Sequence, residues 1–210
     1  MDISVIHSLE KRLSLDLPGF EAQNKMAPKG NDGYRNVAKD HKVACVLALL
    51  FPKNDQWYIS LIERATIHPE DKHAGQISFP GGKLDDNDAS YEDCALRETY
   101  EEIGIAPDTI GILGGLTPLY VYVSNFLVHP FVGFTIESPK FIIQESEVKS
   151  IIEVPLDHFT KSKHKYVGDI MVRDMTLPET PYYDVYGQKL WGATAMMISE
   201  LEHVWSKVYA

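Results

Sequence analysis

Three glutamates lie close together in the stretch RETYEEIG, which runs from Arg97 to Gly104. On a helix with about 100° per residue, Glu98, Glu101 and Glu102 project from one side. Like charges three and four positions apart repel each other, and negative charge near a helix C-terminus opposes the helix dipole. Carboxylates in so unfavourable a place indicate a compensating cation, and hard oxygen ligands are those that Mg²⁺ or Mn²⁺ selects.

A solvated acidic surface is the alternative interpretation of the same helix. Such a surface usually mixes Lys and Arg among its acids, whereas here Arg97 is the one basic residue beside them. Arg97 precedes Glu101 by four positions, so an ion pair between them can orient that carboxylate. On the opposite side of the helix, we expect Leu96, Tyr100 and Ile103 to pack against the core.

Small residues and glycines surround the acidic face. Cys94 and Ala95 lie one turn earlier on the same side and are expected to leave room for a ligand. The preceding turn, FPGGK, holds two glycines, where the backbone can approach a ligand or offer a carbonyl oxygen to a metal. The helix itself is predicted to begin at an N-cap, Asp88 or Ser90, and to end at the C-cap Gly104.

The remaining elements must position this helix against a sheet. Strands alternate with a few helices, which predicts an α/β or α+β layered domain around a mixed sheet. The predicted elements are an amphipathic helix over 3–15, an ordered loop or arm over 17–35, a hairpin of 42–52 and 57–64, a short strand and turn over 75–82, strands near 112–121, 125–136, 149–156, 166–175 and 181–191, and an amphipathic helix over 192–209.

Composition limits the class of protein and its partners. The 210 residues predict one domain, 1–210, with the N-terminal helix and arm (about 1–40) packed on it. The net charge of -10 argues against nucleic-acid and anionic-membrane binding. Two cysteines without a Cys-x-x-Cys spacing, and a start without a signal peptide, predict a cytoplasmic protein. The oligomeric state stays open, a homodimer included.

The segment from Gly82 to Ile105 resembles the Nudix box, G-x5-E-x7-R-E-U-x-E-E-x-G-U, in which U is aliphatic. The second half matches from Arg97 onward, with Thr99 at an aliphatic position. The first half is shifted. Counting back from Arg97 puts neither the glycine nor the first glutamate in register, and Asp88 is the nearest acid.

The resemblance implies a Nudix fold, which is an α/β/α sandwich around a mixed β-sheet. It also implies hydrolysis of a nucleoside diphosphate linked to another group, with Mg²⁺ or Mn²⁺. By the same resemblance Glu98 and Glu102 are the principal metal ligands, Glu101 assists, the Gly82 carbonyl can complete the coordination, and Arg97 orients the glutamates.

The general base is not fixed by the box, because family members differ in which glutamate takes the proton. Glu101 on the helix is one candidate. The later stretch QESEVKSIIEVPL offers Glu145 and Glu147, of which we favour Glu147, since an acid followed by an aliphatic residue is common there. Surface acids on a loop are the alternative interpretation.

The stretch LIERATIHPEDKHAGQISFPGG resembles the motif of the coenzyme A diphosphatase branch. The segments LPGFEAQNKMAP and WGATA resemble that branch too. The resemblance implies a small-molecule substrate, coenzyme A or acyl-coenzyme A, cleaved to adenosine 3′,5′-bisphosphate and 4′-phosphopantetheine or its acyl form. The residues implied to contact substrate are Arg64, His73, Gln76, Phe79 and Gly81.

Two departures bear on this substrate. Ile62 stands where the branch usually has Thr, and Pro69 and Lys72 occupy a region that often holds a second Arg. Lys does not bind phosphate in the bidentate way that Arg does. ADP-ribose, dinucleotide polyphosphates and capped nucleotides are alternative substrates. A non-catalytic nucleotide sensor is a further alternative, although such a protein typically loses the metal glutamates that this chain retains.

Overall fold

A computed structural model of the chain describes residues 3–29, 37–65, 75–172 and 175–208. His73, expected to contact substrate, lies outside these residues, as do Pro69 and Lys72. Within them, no helix combines the length and the apolar character that crossing a membrane requires.

The described residues contain four α-helices and eleven strands. The helices are α1 (Ser4–Leu13), α2 (Phe20–Gln23), α3 (Tyr91–Ile103) and α4 (Gly192–Ser206). The strands are β1 (Lys42–Lys53), β2 (Gln56–Arg64), β3 (Ile77–Ser78), β4 (Gly81–Lys83), β5 (Gly111–Gly115), β6 (Leu119–Val121), β7 (Phe126–Phe134), β8 (Val148–Pro155), β9 (Lys165–Val172), β10 (Met175–Val185) and β11 (Gln188–Trp191). Short 3₁₀ turns occupy Asn24–Met26, Pro107–Thr109, Tyr122–Ser124, Leu156–His158 and Ser162–His164.

Strand β1 organises a mixed sheet of eight strands. It pairs in parallel with β7 and antiparallel with β2 and β4. The main path runs β3-β2-β1-β7-β5, with β8 paired to β2 and β6 paired to β7. Strands β9, β10 and β11 form a separate three-stranded antiparallel sheet.

The two faces of β1 serve two different cores. Cys45, Leu47 and Leu49 pack with α3 in one cluster, whereas Ala48 and Leu50 pack with α1 and α4 in the larger main core. This follows from the alternation of side chains along a strand, applied to a strand that is apolar on both faces. Helices cover both sides of the mixed sheet, which confirms the predicted α/β/α sandwich.

A separation between β1 and β2 makes the opening into which the glycine turn fits. The two strands pair only from Leu50↔Ile59 to Lys53↔Gln56. Beyond this hairpin, β3 pairs with β2 and β4 pairs with β1. The chain from residue 77 to 83 therefore passes from one strand to the other, and it brings the glycines into the sheet beside α3.

Several elements differ from the sequence prediction. The strand predicted near 112–121 is divided into β5 and β6, and the one predicted near 181–191 is divided between β10 and β11. Helix α4 was expected to be amphipathic, but most of its residues are buried because it packs between α1, α2 and the second sheet. The segment 17–35 was expected to be an ordered loop or arm, and its described part, 17–29, contains α2 and a 3₁₀ turn. The last two differences have one cause, since the helical turns of the arm pack against α4.

A buried carboxylate joins the arm to the rest of the protein. Glu200 is 0% exposed. One oxygen accepts hydrogen bonds from Gly19 N (3.1 Å) and Thr117 Oγ1 (2.6 Å), and the other accepts from Gln23 Nε2 (2.9 Å) and Thr117 N (3.2 Å). Helix α1 also contributes Ile6 and other residues to the main core. We infer that residues 3–29 form one domain with the sheet.

Glu200→Ala tests the strength of this connection. It leaves several buried donors without an acceptor, so we expect the free energy of unfolding to fall by roughly 3 kcal/mol or more. Urea denaturation followed by circular dichroism measures the change. Glu10→Ala, an exposed position on α1, is the control. Equal stability of the two variants would contradict the role of Glu200.

Candidate active site

Helix α3 begins and ends where its sequence predicts. The Ser90 side chain caps the N-terminus, accepting a hydrogen bond from Asp93 N at 3.0 Å. Gly104 ends the helix in the left-handed conformation, with φ of 73°. Of the two N-cap candidates the structure therefore selects Ser90, and Asp88 is left for another role.

The buried side of α3 differs from the expected one. Tyr100 is 55% exposed, so the expectation that it packs against the core was wrong. Leu96 is half-buried and packs against the second core, as expected. Thr99 and Glu102 are buried instead, together with Ile103. Thr99 tolerates burial because its hydroxyl donates to the Ala95 carbonyl at 2.7 Å.

Cys94 and Ala95 do not leave room for a ligand, because both are fully buried against the sheet. The Cys94 Sγ atom lies 4.0 Å from the Gly82 carbonyl oxygen. Gly82 itself is paired with Cys45 of β1. Small side chains at these positions therefore let α3 approach the glycine turn, and that approach determines where the glutamates lie.

Arg97 connects three carboxylates. Its guanidinium binds Asp88 in a bidentate pair at 2.8 and 2.9 Å, and Nη1 donates to Glu98 at 2.9 Å and Glu101 at 3.0 Å. The hydrogen bonds with Asp88 raise the pKa of Arg97 and hold the pKa of the Asp88 carboxyl well below its usual range. Charge-assisted bidentate pairs of this kind are strong and directional.

Asp88 thus lies beside Arg97 despite the shifted spacing of the first half of the motif. The turn before α3 is tied together by its own polar groups: Asp88 N donates to the Asp85 carbonyl at 3.1 Å, and Asp85 N donates to Asp88 Oδ2 at 2.8 Å. The spacing of the motif does not define a role for the first acid. The bidentate contact between Asp88 and Arg97 shows that this acid holds the arginine in place.

Glu98 occupies space that a side chain at position 82 would fill. A Cβ atom added to Gly82 would lie 2.5 Å from Glu98 Oε2. Burial raises the pKa of Glu98, and Arg97 opposes that rise. The carboxylate therefore lies directly against the backbone of the glycine turn.

Glu102 is the most buried of the three glutamates, at 1% exposure. Its Oε2 accepts a hydrogen bond from Gly81 N at 2.8 Å, and its Oε1 lies 3.5 Å from Arg64 Nη1. Burial raises its pKa to about 8, although Gly81 and Arg64 favour the charged form. Gly81 was expected to contact substrate, and its N–H group donates to Glu102. The glycines of the turn were the one feature of the sequence that indicated a close backbone contact here.

A distant loop brings Glu147 to the same place. The Glu147 carbonyl accepts from Ala65 N at 2.8 Å, and Gln144 N donates to the Glu102 carbonyl at 2.9 Å. The negative charge of Glu147 adds to the rise in pKa of both Glu98 and Glu102. Its side chain is exposed.

The residues of the upstream motif divide between the site and the core. Arg64 lies in the site beside Glu102. Gln76 is held next to it, since its carbonyl accepts from Arg64 N at 3.0 Å. Phe79 is 1% exposed and packs in the main core, so its ring holds the turn from the inside.

The donor set suits a hard divalent cation. Glu98, Glu102 and the Gly82 carbonyl place oxygen atoms at one end of the glycine turn, and Glu101 lies beside them on the Arg97 guanidinium. Across the described parts of the chain, no three Asp, Glu, His or Cys side chains already form a metal-binding group. Two arginines neutralise these carboxylates instead, so a cation would have to rearrange the ion pairs as it binds.

The sequence matches one known protein family over more than half of the chain. The NUDIX domain family matches residues 41–173. A relative from Pectobacterium atrosepticum, described as an uncharacterized Nudix hydrolase NudL, is 40% identical over 131 residues, covering 62% of this chain and 67% of its own. One from Escherichia coli with the same description is 37% identical over 142 residues, covering 67% and 72%. A MutT/nudix family crystal structure from Enterococcus faecalis has a TM-score of 0.49 at 21% identity, covering 80% of this chain and 61% of that one.

Gly82→Ala tests the contact between the turn and Glu98. The added methyl group displaces the Glu98 carboxylate, so Mn²⁺ affinity is expected to fall roughly 10-fold to 100-fold, with little change in stability. Isothermal titration with Mn²⁺ measures the affinity. Gly115→Ala is the matched control, because a Cβ atom there meets only ordinary contacts. An unchanged affinity would mean that the position of Glu98 does not matter for metal binding.

The pH dependence of stability in a Glu102→Gln variant tests whether burial raises the pKa of Glu102. From about pH 4.5 to about pH 8, folded Glu102 keeps a proton that the unfolded chain releases, so the stability of metal-free protein falls as pH rises. Glutamine has no such proton. In EDTA, the variant is expected to unfold at a higher temperature than the wild type near about pH 9, and the difference should shrink toward about pH 5.

The control for this measurement is Glu101→Gln, whose side chain is 52% exposed. Differential scanning calorimetry at several pH values supplies the data. A Glu102→Gln difference that is the same at every pH would contradict the raised pKa.

Proposed function

The chain belongs to the Nudix hydrolase family, and we propose that it is a diphosphatase of coenzyme A or acyl-coenzyme A. Nudix hydrolases act on nucleoside diphosphate derivatives, and coenzyme A is one of these. The products of the proposed reaction are adenosine 3′,5′-bisphosphate and 4′-phosphopantetheine or its acyl form. The observation that carries the proposal is the 3.5 Å approach of Arg64 to Glu102, since it joins the upstream motif to the acidic helix.

Nudix hydrolases generally use divalent metals such as Mg²⁺ or Mn²⁺. We assign the ligands to Glu98, Glu102 and the Gly82 carbonyl, with Glu101 assisting. When bound, the cation supplies positive charge for the diphosphate oxygens and lowers the pKa of water. The raised pKa of Glu102 supports this assignment, because a bound cation would stabilise the charged form of a buried carboxylate.

The other acidic and basic residues have separate roles in the proposal. Arg97, anchored by Asp88, holds Glu98 and Glu101 in place. Glu147 takes the proton from the water that attacks phosphorus, which is supported by its exposure and by its electrostatic effect on Glu98 and Glu102. Glu101, also exposed, is the alternative base.

Substrate selection is assigned to the region around Arg64. Its guanidinium lies 3.5 Å from Glu102 and is part-exposed, so it can bind a phosphate in the bidentate way. Gln76 lies next to it, and His73 stays a proposed contact on sequence grounds. The departure at position 62 does not weaken this assignment, because Ile62 is 0% exposed in the second core and cannot meet a substrate.

The proposed compartment is the cytoplasm. Both cysteines of the chain, Cys45 and Cys94, are free, and free thiols persist in reducing surroundings. The proposed partner is the small nucleotide substrate, because a net charge of -10 opposes nucleic acid and anionic membranes.

A substrate panel tests the proposal. The protein is incubated with Mg²⁺ and coenzyme A, acetyl-coenzyme A, dephospho-coenzyme A, ADP-ribose or diadenosine tetraphosphate, and products are identified by mass spectrometry. We expect the coenzyme A compounds to give the highest kcat/KM, and the form with the 3′-phosphate to exceed dephospho-coenzyme A. Turnover of ADP-ribose alone would reject the substrate, and no turnover at all would favour a nucleotide sensor.

Variants in the same assay test the residue roles. Glu102→Gln and Glu147→Gln are each expected to lower kcat roughly 100-fold or more, the range found when a metal ligand or general base is lost. Glu145→Gln is the matched control for Glu147, because it is an exposed acid of the same loop. If both loop variants keep wild-type rates while Glu101→Gln loses activity, the base is on the helix.

A further inference from the structure

A cavity of about 370 Å³ lies between α4, strands β9 and β10 and the 3₁₀ turn at Asn24–Met26. None of its lining residues belongs to α3, to β4 or to the loop that carries Glu147. Helix α4 packs on the main core and α3 on the second core, so the cavity and the candidate active site lie on opposite faces of the sheet. Its volume is within the range of about 300–1,000 Å³ that small-molecule sites occupy.

The walls of the cavity combine apolar surface with a neutralised acid. Met26 and the half-exposed ring of Tyr166 supply apolar contact, and Tyr183, 0% exposed, lies at its base. Glu202 accepts hydrogen bonds from Lys165 Nζ at 2.6 Å and from the Tyr183 hydroxyl at 3.1 Å. The charge of this carboxylate is therefore already compensated within the cavity wall.

Two further basic side chains line the cavity. Within residues 3–29, 37–65, 75–172 and 175–208, neither Lys25 nor the His203 ring has a side-chain hydrogen bond or ion pair. Burial and the nearby Lys207 and Lys25 lower the pKa of His203, whereas Glu21 and Glu202 oppose that change, and the imidazole has an N–H group that can donate a hydrogen bond. Lys25 then adds one ammonium charge to a wall whose acid is already satisfied. An ammonium beside an N–H donor suits an anionic group.

The wall that carries Lys25 is fixed before any ligand binds. Ser199 Oγ on α4 donates to the Ala22 carbonyl at 2.8 Å, and Glu200 binds Gly19 and Gln23 of the same arm. Lys25 follows directly in a 3₁₀ turn. A site whose backbone is already ordered loses less entropy on binding. The arm segment LPGFEAQNKMAP, which contributes no residue to the candidate active site, thus supplies Lys25 and Met26 to the wall of this cavity.

We propose that this cavity binds a small organic anion, with a carboxylate or phosphomonoester facing Lys25 and His203 and an apolar group against Met26 and Tyr166. The site is separate from the hydrolytic site, and its ligand does not depend on which diphosphate is hydrolysed there. Carboxylate and phosphate share the recognising chemistry, so the experiment uses one probe of each kind.

The test uses ¹⁵N-labelled full-length protein in a Mg²⁺ buffer, titrated with benzoate, phenyl phosphate or the neutral benzyl alcohol. We expect at least one anion to shift amide resonances of residues 165–167 and 199–206, and benzyl alcohol to shift them much less. The double variant Lys25→Gln, His203→Gln is expected to weaken binding at least about tenfold, as the loss of a charged hydrogen bond does. Lys39→Gln, at another exposed lysine, should bind as the wild type does.

Several results would overturn the proposal. Equal binding of benzyl alcohol would show that the cavity binds an apolar group without recognising its charge. An unchanged affinity in the double variant would show that Lys25 and His203 do not bind the anion. Shifts confined to Gly81, Gly82 and α3 would place the anion in the hydrolytic site. The absence of shifts up to about 10 mM of either anion, far weaker than micromolar recognition, would reject the site. Both substituted side chains line the surface of the cavity, so unchanged unfolding temperatures serve as the folding control.

Discussion

The burial of one carboxylate, that of Glu102, is the constraint on which the candidate active site depends. An ionised group removed from water costs several kcal/mol unless hydrogen bonds and opposite charge compensate it. Here the compensation comes from the Gly81 N–H group and the Arg64 guanidinium, which belong to two different strands. Helix α3 can reach them only because β1 and β2 separate to admit the glycine turn, and because Cys94 and Ala95 are small enough for close approach.

The same geometry explains why the acids tolerate the C-terminal end of a helix. The last carbonyls of a helix carry the negative end of its dipole. In α3, the carbonyls of Glu102 and Ile103 accept hydrogen bonds from Gln144 N and Ile142 N, both at 2.9 Å. Those donors satisfy the carbonyls that would otherwise repel the acids. Arg97 then lies between Glu98 and Glu101, so opposite charges alternate along the face before any metal binds.

A second buried carboxylate performs a comparable task on the other face of the sheet. Glu200 has no basic partner among the described residues and is held by backbone and side-chain donors from the arm and from Thr117. Neutral donors suffice when their number and direction match the lone pairs of the carboxylate. The chain thus holds one buried carboxylate with a charged partner in the candidate active site, and another with neutral donors where the arm packs on α4.

The sequence by itself determined the elements whose signals are local. Apolar runs predicted β1 and β2, and capping chemistry predicted that α3 starts at Asp88 or Ser90 and ends at Gly104, of which the structure shows Ser90 and Gly104. The spacing of the motif likewise predicted the family and the acidic face of α3. Residues three or four positions apart on one helix are brought together by the helix itself, without contacts from other parts of the chain. The tertiary structure decided which side of α3 is buried, exposing Tyr100 and burying Glu102. It also decided the contacts between Arg64 and Glu102, between Asp88 and Arg97, and between the loop of Glu147 and the end of β2. Those contacts join separate segments, and their geometry follows from how the sheet separates and how closely the helix packs, which no local pattern encodes.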